Sequence, residues 1–281
     1  MSKIREIKRI VAGVSTSDGA GVKLIRLIGH ADTKDFDPFL LLDGFDSTNS
    51  DDYIKGFPWH PHRGIETVTY MISGSVAHGD SLGNSGRISD GDCQWMTAGS
   101  GIIHQEMPQV SDRVYGTQLW INLPAKHKMA PPKYRDILSD IIPVTNEAAG
   151  SVRNICGSYK GKPGAIKGDY VDITYLDVKI KSGAEWTLQT NPEDTLFIYI
   201  LRGAGIFGSG DSAPLQERNV ALFGPGDTFA ASAADGELRF LLLSGKPLAE
   251  PIAWGGPIVM NTREELSLAF KELDEGTFIK Q

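Results

Sequence analysis

Turn residues interrupt this chain too often for long helices. Gly79-Asp80, Asp90-Gly91, Gly226-Asp227 and Asp235-Gly236 mark turns, with short apolar or alternating runs elsewhere between Gly, Asp, Asn and Pro. Val22–Ile28, Phe39–Leu42, Thr67–Ile72, Gln118–Leu123, Val171–Ile180, Thr195–Leu201 and Leu238–Leu243 read as strands. Helical periodicity is convincing in one place. Asn261-Thr262-Arg263-Glu264-Glu265 starts like a capped helix, and Leu266, Ala269, Phe270 and Leu273 continue its apolar face. A shorter helix is expected near Tyr134–Leu138. The pattern predicts an all-β protein with a short C-terminal helix.

A weak internal repeat suggests how those strands are divided. Tyr70-Met71-Ile72-Ser73-Gly74 resembles Tyr199-Ile200-Leu201-Arg202-Gly203, and Asp90-Gly91-Asp92 resembles Pro225-Gly226-Asp227. Two β-barrels of similar design would give this pattern, and 281 residues are ample for both. Pro131-Pro132 and Pro143 interrupt the stretch between the repeats. The expected organisation is a first barrel over residues 1–130, a linker over 131–146 and a second barrel over 147–281.

Four of the six histidines fall between Phe57 and Pro108. Residues two apart on a strand share a face, so His60 and His62 can converge from one strand and His104 and Glu106 from another. Imidazoles with a single carboxylate and open positions suit iron or another first-row metal better than calcium or magnesium. Glu66 shares the parity of His60 and His62, leaving five candidates for about four places; spacing alone does not choose between Glu66 and Glu106. His78 reads as a loop histidine, and His30 and His127 as surface or packing residues. Arg63 reads as holding Glu66 or another carboxylate, or as a surface residue. Core packing is the default for Trp95, Met96 and Trp120, with Gln118 and Trp120 as candidates to line a pocket.

No histidine follows His127. The repeat places Gln189 and Asn191 opposite His60 and His62, and Arg239 and Leu241 opposite His104 and Glu106. A guanidinium and an aliphatic chain do not replace those ligands, so no comparable metal site is expected in the second half.

The formal charge of −7 speaks against direct nucleic-acid binding and against a membrane-surface role. No stretch has the apolar length of a signal peptide or a bilayer span, which points to the cytoplasm. Cys93 and Cys156 read as reduced, with Cys93 a small core residue.

The His-x-His-x3-Glu spacing, then Gly74 and the later His104, is a cupin-type metal signature on a double-stranded β-helix or jelly-roll barrel. The resemblance narrows further. Asp37-Pro38-Phe39-Leu40-Leu41-Leu42-Asp43, His60-Pro61-His62-Arg63-Gly64-Ile65-Glu66-Thr67-Val68-Thr69-Tyr70, Asp80-Ser81-Leu82-Gly83-Asn84, Gln94-Trp95-Met96-Thr97-Ala98-Gly99, Gln118-Leu119-Trp120-Ile121-Asn122-Leu123 and Gly256-Pro257-Ile258-Val259-Met260-Asn261-Thr262 resemble the pirin family. That resemblance implies two cupin-type barrels with one metal, usually Fe(II), in the first; other divalent first-row metals are admissible. It places the ligands at His60, His62, His104 and Glu106 and leaves Glu66 as a carboxylate orienting a ligand histidine. It implies opening of a flavonol such as quercetin with O2, in a 2,3-dioxygenase reaction. Glu106 would remain a ligand or take the flavonol proton. The rival reading is an iron-dependent, redox-sensing protein partner of a transcription regulator or metabolic enzyme. Trp59 stands where relatives often carry Asp, and Ile65 where they often carry Phe.

Overall fold

The computed structural model describes residues 2–210 and 213–280. Strands dominate and one long helix, Arg263–Asp274, follows near the end. Its start is the predicted one: the Thr262 side chain accepts from Glu265 N–H, and the Glu265 carboxylate returns to the Thr262 backbone. No helix among the described residues is long and apolar enough to cross a membrane.

The chain forms two compact units that interleave in sequence. The first gathers Val14–Thr33, Phe39–Ser139 and the segment from Leu248 onward. The second gathers the stretch ending at Gly13 with Lys34–Pro38 and Asp140–Pro247. This corrects the linear division into 1–130, 131–146 and 147–281. Strand Ile7–Ala12 pairs antiparallel with Asn219–Phe223, which takes the N-terminal residues into the second unit. Residues 131–146 are not a plain linker. Lys133–Ile137 pairs with Cys93–Thr97, and Val144–Glu147 pairs with Gly150–Cys156. The short helix expected near Tyr134–Leu138 is therefore a strand. Pro131-Pro132 biases the backbone before it toward extended geometry, and the open edge of Cys93–Thr97 satisfies its backbone groups.

In the second unit, the interior is filled. Trp186, Phe207, Phe223, Phe229 and Phe240 interlock, with ring centroids 5.0 to 6.2 Å apart. Leu196, Ile198, Ile200 and Leu242 close around them. Of the repeat-matched positions, Arg239 is held by Asp177 at 2.6 and 2.9 Å and Leu241 is buried. Gln189 donates to Thr228 Oγ1.

In the first unit, two sheets form the barrel. Seven strands run in the order Lys133–Ile137, Cys93–Thr97, Ile65–Ser73, Val114–Asn122, Phe39–Ser47, Val22–Ile28 and Val14–Asp18. The other sheet is ordered Phe57–His62, Ile102–Pro108, Val76–Asp80 and Ser85–Ile88. The C-terminal helix is tied to this unit by Arg63. Its guanidinium donates to Glu272 Oε2 at 2.7 Å and to the carbonyls of Ser100 and Phe278 at 2.7 Å, and it stacks 4.2 Å from the Phe278 ring. Arg63 is thus a buried clamp. Arg63→Ala is expected to cost about 2 kcal/mol, because two buried carbonyls lose their donor while partly exposed Glu272 can recover water. Urea unfolding checks the loss, and faster amide exchange at 275–280 checks its location.

Candidate metal centre and cavity

Strand Phe57–His62 lies antiparallel to Ile102–Pro108 with His60 opposite His104. The alternation predicted from spacing therefore holds for both strands, and the three imidazoles converge. Ring centroids are 4.4 Å apart for His60 and His104, 4.8 Å for His60 and His62, and 5.1 Å for His62 and His104. One nitrogen from each ring lies within 4.8 Å of the other two.

The hydrogen bonds favour a metal at this point. His60 Nδ1 faces Pro58 O at 2.8 Å, and His62 Nδ1 faces Pro257 O at 3.0 Å. A carbonyl can only accept, so each Nδ1 is the donor, which leaves Nε2 as the ring atom placed to ligate. His104 is fully buried, and neither of its ring nitrogens has a hydrogen-bond partner among the described residues. Buried polar atoms without partners are costly, and a metal ion would use one of these. Burial, followed by the nearby His60, pushes His62 down to about 3. Burial, then His62, His60 and His78, holds His104 well below its ordinary value. Both are therefore neutral near pH 7, as ligation requires. The donor set fits a first-row divalent metal.

Glu106 follows His104 on the same strand, but its carboxylate is engaged elsewhere. Oε1 accepts from the Thr69 hydroxyl at 2.7 Å, and Oε2 accepts from the Gln118 amide at 3.3 Å. Glu66 does not share the orientation that its parity suggested. The strand carrying His60 and His62 ends at His62, and Gly64 at φ +77° turns the chain before Ile65. A Cβ there would sit 1.9 Å from Val259 O, so the turn requires glycine. Glu66 is buried and accepts from Thr97 Oγ1 at 2.6 Å on the adjacent strand.

His78 is not a loop residue. It lies buried on strand Val76–Asp80 opposite Glu106, bonds to Asp80 and Gln94 at 3.2 and 3.1 Å, and stacks on Tyr134 at 4.1 Å. Its signal was the alternation Val76-Ala77-His78, masked by the following Gly79-Asp80 pair.

His60, His62 and Glu106 border a cavity of about 710 Å³, within the range that takes small organic ligands. Tyr53, Phe57, Trp59, Trp120 and Trp254 supply aromatic wall, and Trp120 meets the His62 ring edge-on at 5.0 Å. Gln118 and Trp120 both line it, as the sequence suggested. Of the two unusual positions, Trp59 borders the cavity and is 55% exposed, whereas Ile65 packs in the core with Leu40, Met96 and Ile102. His30 also borders the cavity and stacks on Trp254 at 4.6 Å. Cross-strand neighbours place Arg26, Asp43, Gln118, Thr69 and Gln94 in one row across five strands. Direct partners share a face, so one polar line crosses the sheet beside the aromatic walls.

Two β-barrels in one chain, with three converging imidazoles in one of them, define a bicupin. The comparisons identify which kind. Residues 21–121 match the family model for Pirin, and residues 175–279 match the Pirin C-terminal cupin domain. A Pirin-like protein from Caulobacter vibrioides is 42% identical over 278 residues, covering 98% of this chain and 99% of that one. Human Pirin is 38% identical over 275 residues, covering 96% of this chain and 92% of its own. A crystal structure of quercetin 2,3-dioxygenase from Acinetobacter baumannii superposes with a TM-score of 0.89 at 33% identity, covering 98% of each chain. This chain belongs to the pirin family.

Proposed function

We propose that this protein is a mononuclear non-haem iron enzyme that opens flavonols with O2, as a quercetin 2,3-dioxygenase. The observation that carries the reading is the convergence of three imidazoles, two of them bordering an aromatic-walled cavity. The full-length likeness to the Acinetobacter baumannii quercetin 2,3-dioxygenase supports it. His60, His62 and His104 would hold Fe(II), with Glu106 as the fourth protein ligand. Iron, when bound, supplies the redox chemistry that lets a spin-paired flavonol react with O2.

The chain's own residues would do the rest. Trp120 and Phe57 offer flat apolar faces to the substrate rings, which fixes orientation and excludes water. A Glu106 carboxylate oxygen would accept the flavonol hydroxyl proton. Glu66, bonded to Thr97, would tune the surroundings of the ligand strand without coordinating. Cys93 and Cys156 are buried thiols with no disulfide between them, which supports a cytoplasmic location.

The test is O2 uptake with quercetin loss by Fe(II) protein reconstituted without oxygen, beside His62→Ala to correct for loose iron. Metal-dependent turnover absent from the variant is expected. Glu106→Gln should lower kcat about 10²-fold or more with iron still bound. Iron binding with quercetin loss no greater than the control would reject the dioxygenase reading and favour the iron-dependent protein partner.

A further inference from the structure

Glu106 sits beside the imidazole triad, yet its two oxygens are occupied by neutral side chains from the opposite sheet. Thr69 and Gln118 are direct cross-strand partners on Ile65–Ser73 and Val114–Asn122, while Glu106 is on Ile102–Pro108. The bonds to Glu106 therefore join the two sheets across the barrel interior. Thr69 is buried, so water does not readily replace it.

One detail decides what this arrangement can do. The Thr69 hydroxyl has a single proton but two acceptors in reach, Glu106 Oε1 at 2.7 Å and Gln118 Oε1 at 2.5 Å. A rotation about the Thr69 C–O bond moves the proton from one acceptor to the other. If the carboxylate leaves, Thr69 donates to Gln118 and keeps a satisfied hydroxyl. Releasing Glu106 thus costs its charge-assisted hydrogen bonds without stranding a buried donor.

We infer that Thr69 and Gln118 form a latch that competes with the metal for Glu106, making that carboxylate a ligand which can be released and recaptured. This rests on the metal reading of the triad. Thr69 and Gln118 are positioning residues: they act through Glu106. The latch gives the centre two protein ligand sets, three imidazoles alone or three imidazoles with a carboxylate. With Glu106 held by Thr69 and Gln118, one more position would be left for substrate and the carboxylate keeps a fixed place in the cavity wall.

The experiment is a Co(II) titration of the metal-free full chain, read by visible absorption, for wild type, Thr69→Val, Thr69→Ser and Glu106→Ala. Thr69→Val keeps the shape and removes the proton. It is expected to bind Co(II) about tenfold tighter, with an absorption change reporting added carboxylate ligation. Thr69→Ser retains the hydroxyl and should match wild type. In a Glu106→Ala background, Thr69→Val should change nothing. Thermal unfolding of each metal-free variant confirms folding. Unchanged or weaker binding by folded Thr69→Val, or the same tightening without Glu106, overturns the latch while the metal site stands. Failure of Thr69→Val to fold moves the test to Thr69→Ala, with the same expected direction. Failure of wild type to bind Co(II) overturns the metal reading and the latch with it.

Discussion

His104→Ala is expected to lower metal affinity at least about 100-fold and to remove the thermal stabilisation that metal gives the wild type. Metal at about 100 times its Kd should stabilise the folded wild type by about 2.7 kcal/mol, or roughly 5 °C for a chain of this size. The variant should show almost none of that shift. The reason is geometric: His104 faces both His60 and His62 and has no hydrogen-bond partner at either ring nitrogen among the described residues. Metal-free protein offers an independent check. His62 and His104 both have folded pKa values below that of an unfolded histidine, so between these values the unfolded chain binds protons that the folded chain does not. Stability is therefore present above about pH 6.5 and is lost as pH falls below it. His104→Ala removes one of these groups, so its loss between pH 6.5 and 5 should be shallower. Parallel denaturant midpoints for the two proteins across that range would contradict a buried neutral His104.

The strands that carry the histidine triad were legible because strand alternation is local. His60, His62 and His104 fall where a two-residue period places them, and the Thr262–Glu265 capping box announced the last helix. The failures occur where a distant partner decides the outcome. Arg63 was expected to hold Glu66 or another carboxylate, and it does hold one, but nothing local singles out Glu272, 209 residues away. Glu66 was assigned a face by counting through Gly64, where the chain turns. Tyr134 carries no local strand signal strong enough to reveal that Lys133–Ile137 extends a sheet edge. The second barrel shows the same limit in reverse. Sequence indicated the residues opposite the proposed ligands there, but not that Trp186, Phe207, Phe229 and Phe240 close together in its interior. One architecture thus supports a cavity where polar side chains and aromatics line an opening, and a solid core where aromatics meet each other.

Lys128→Met is expected to destabilise the protein by about 3–5 kcal/mol, although Lys128 touches no proposed ligand. The sequence around it, Ala125-Lys126-His127-Lys128, resembles an exposed turn, yet Lys128 is 2% exposed. Its ammonium donates to Gly64 O at 2.8 Å, Val259 O at 2.9 Å and Asn122 Oδ1 at 2.5 Å. Three protons meet three oxygens from separate segments, and one of those segments is the turn after His62. Methionine fills similar volume but donates nothing, so buried acceptors lose their partner. The variant should also loosen the His62 turn, and a weaker metal affinity would register that. The pH dependence has a definite sign. Burial pushes Lys128 down to about 7, below the ordinary lysine range. Between pH 7 and about 10 the unfolded chain therefore holds a proton that the folded chain has released, and wild-type stability gains with rising pH. Every other group titrates alike in both proteins, so the difference between wild type and Lys128→Met isolates this contribution. Urea unfolding at pH 6.5 and 9.5 should show the gap widening at the higher pH. A constant gap would mean that the three oxygens hold the ammonium charged throughout, and that Lys128 acts as a fixed cation rather than a titrating one.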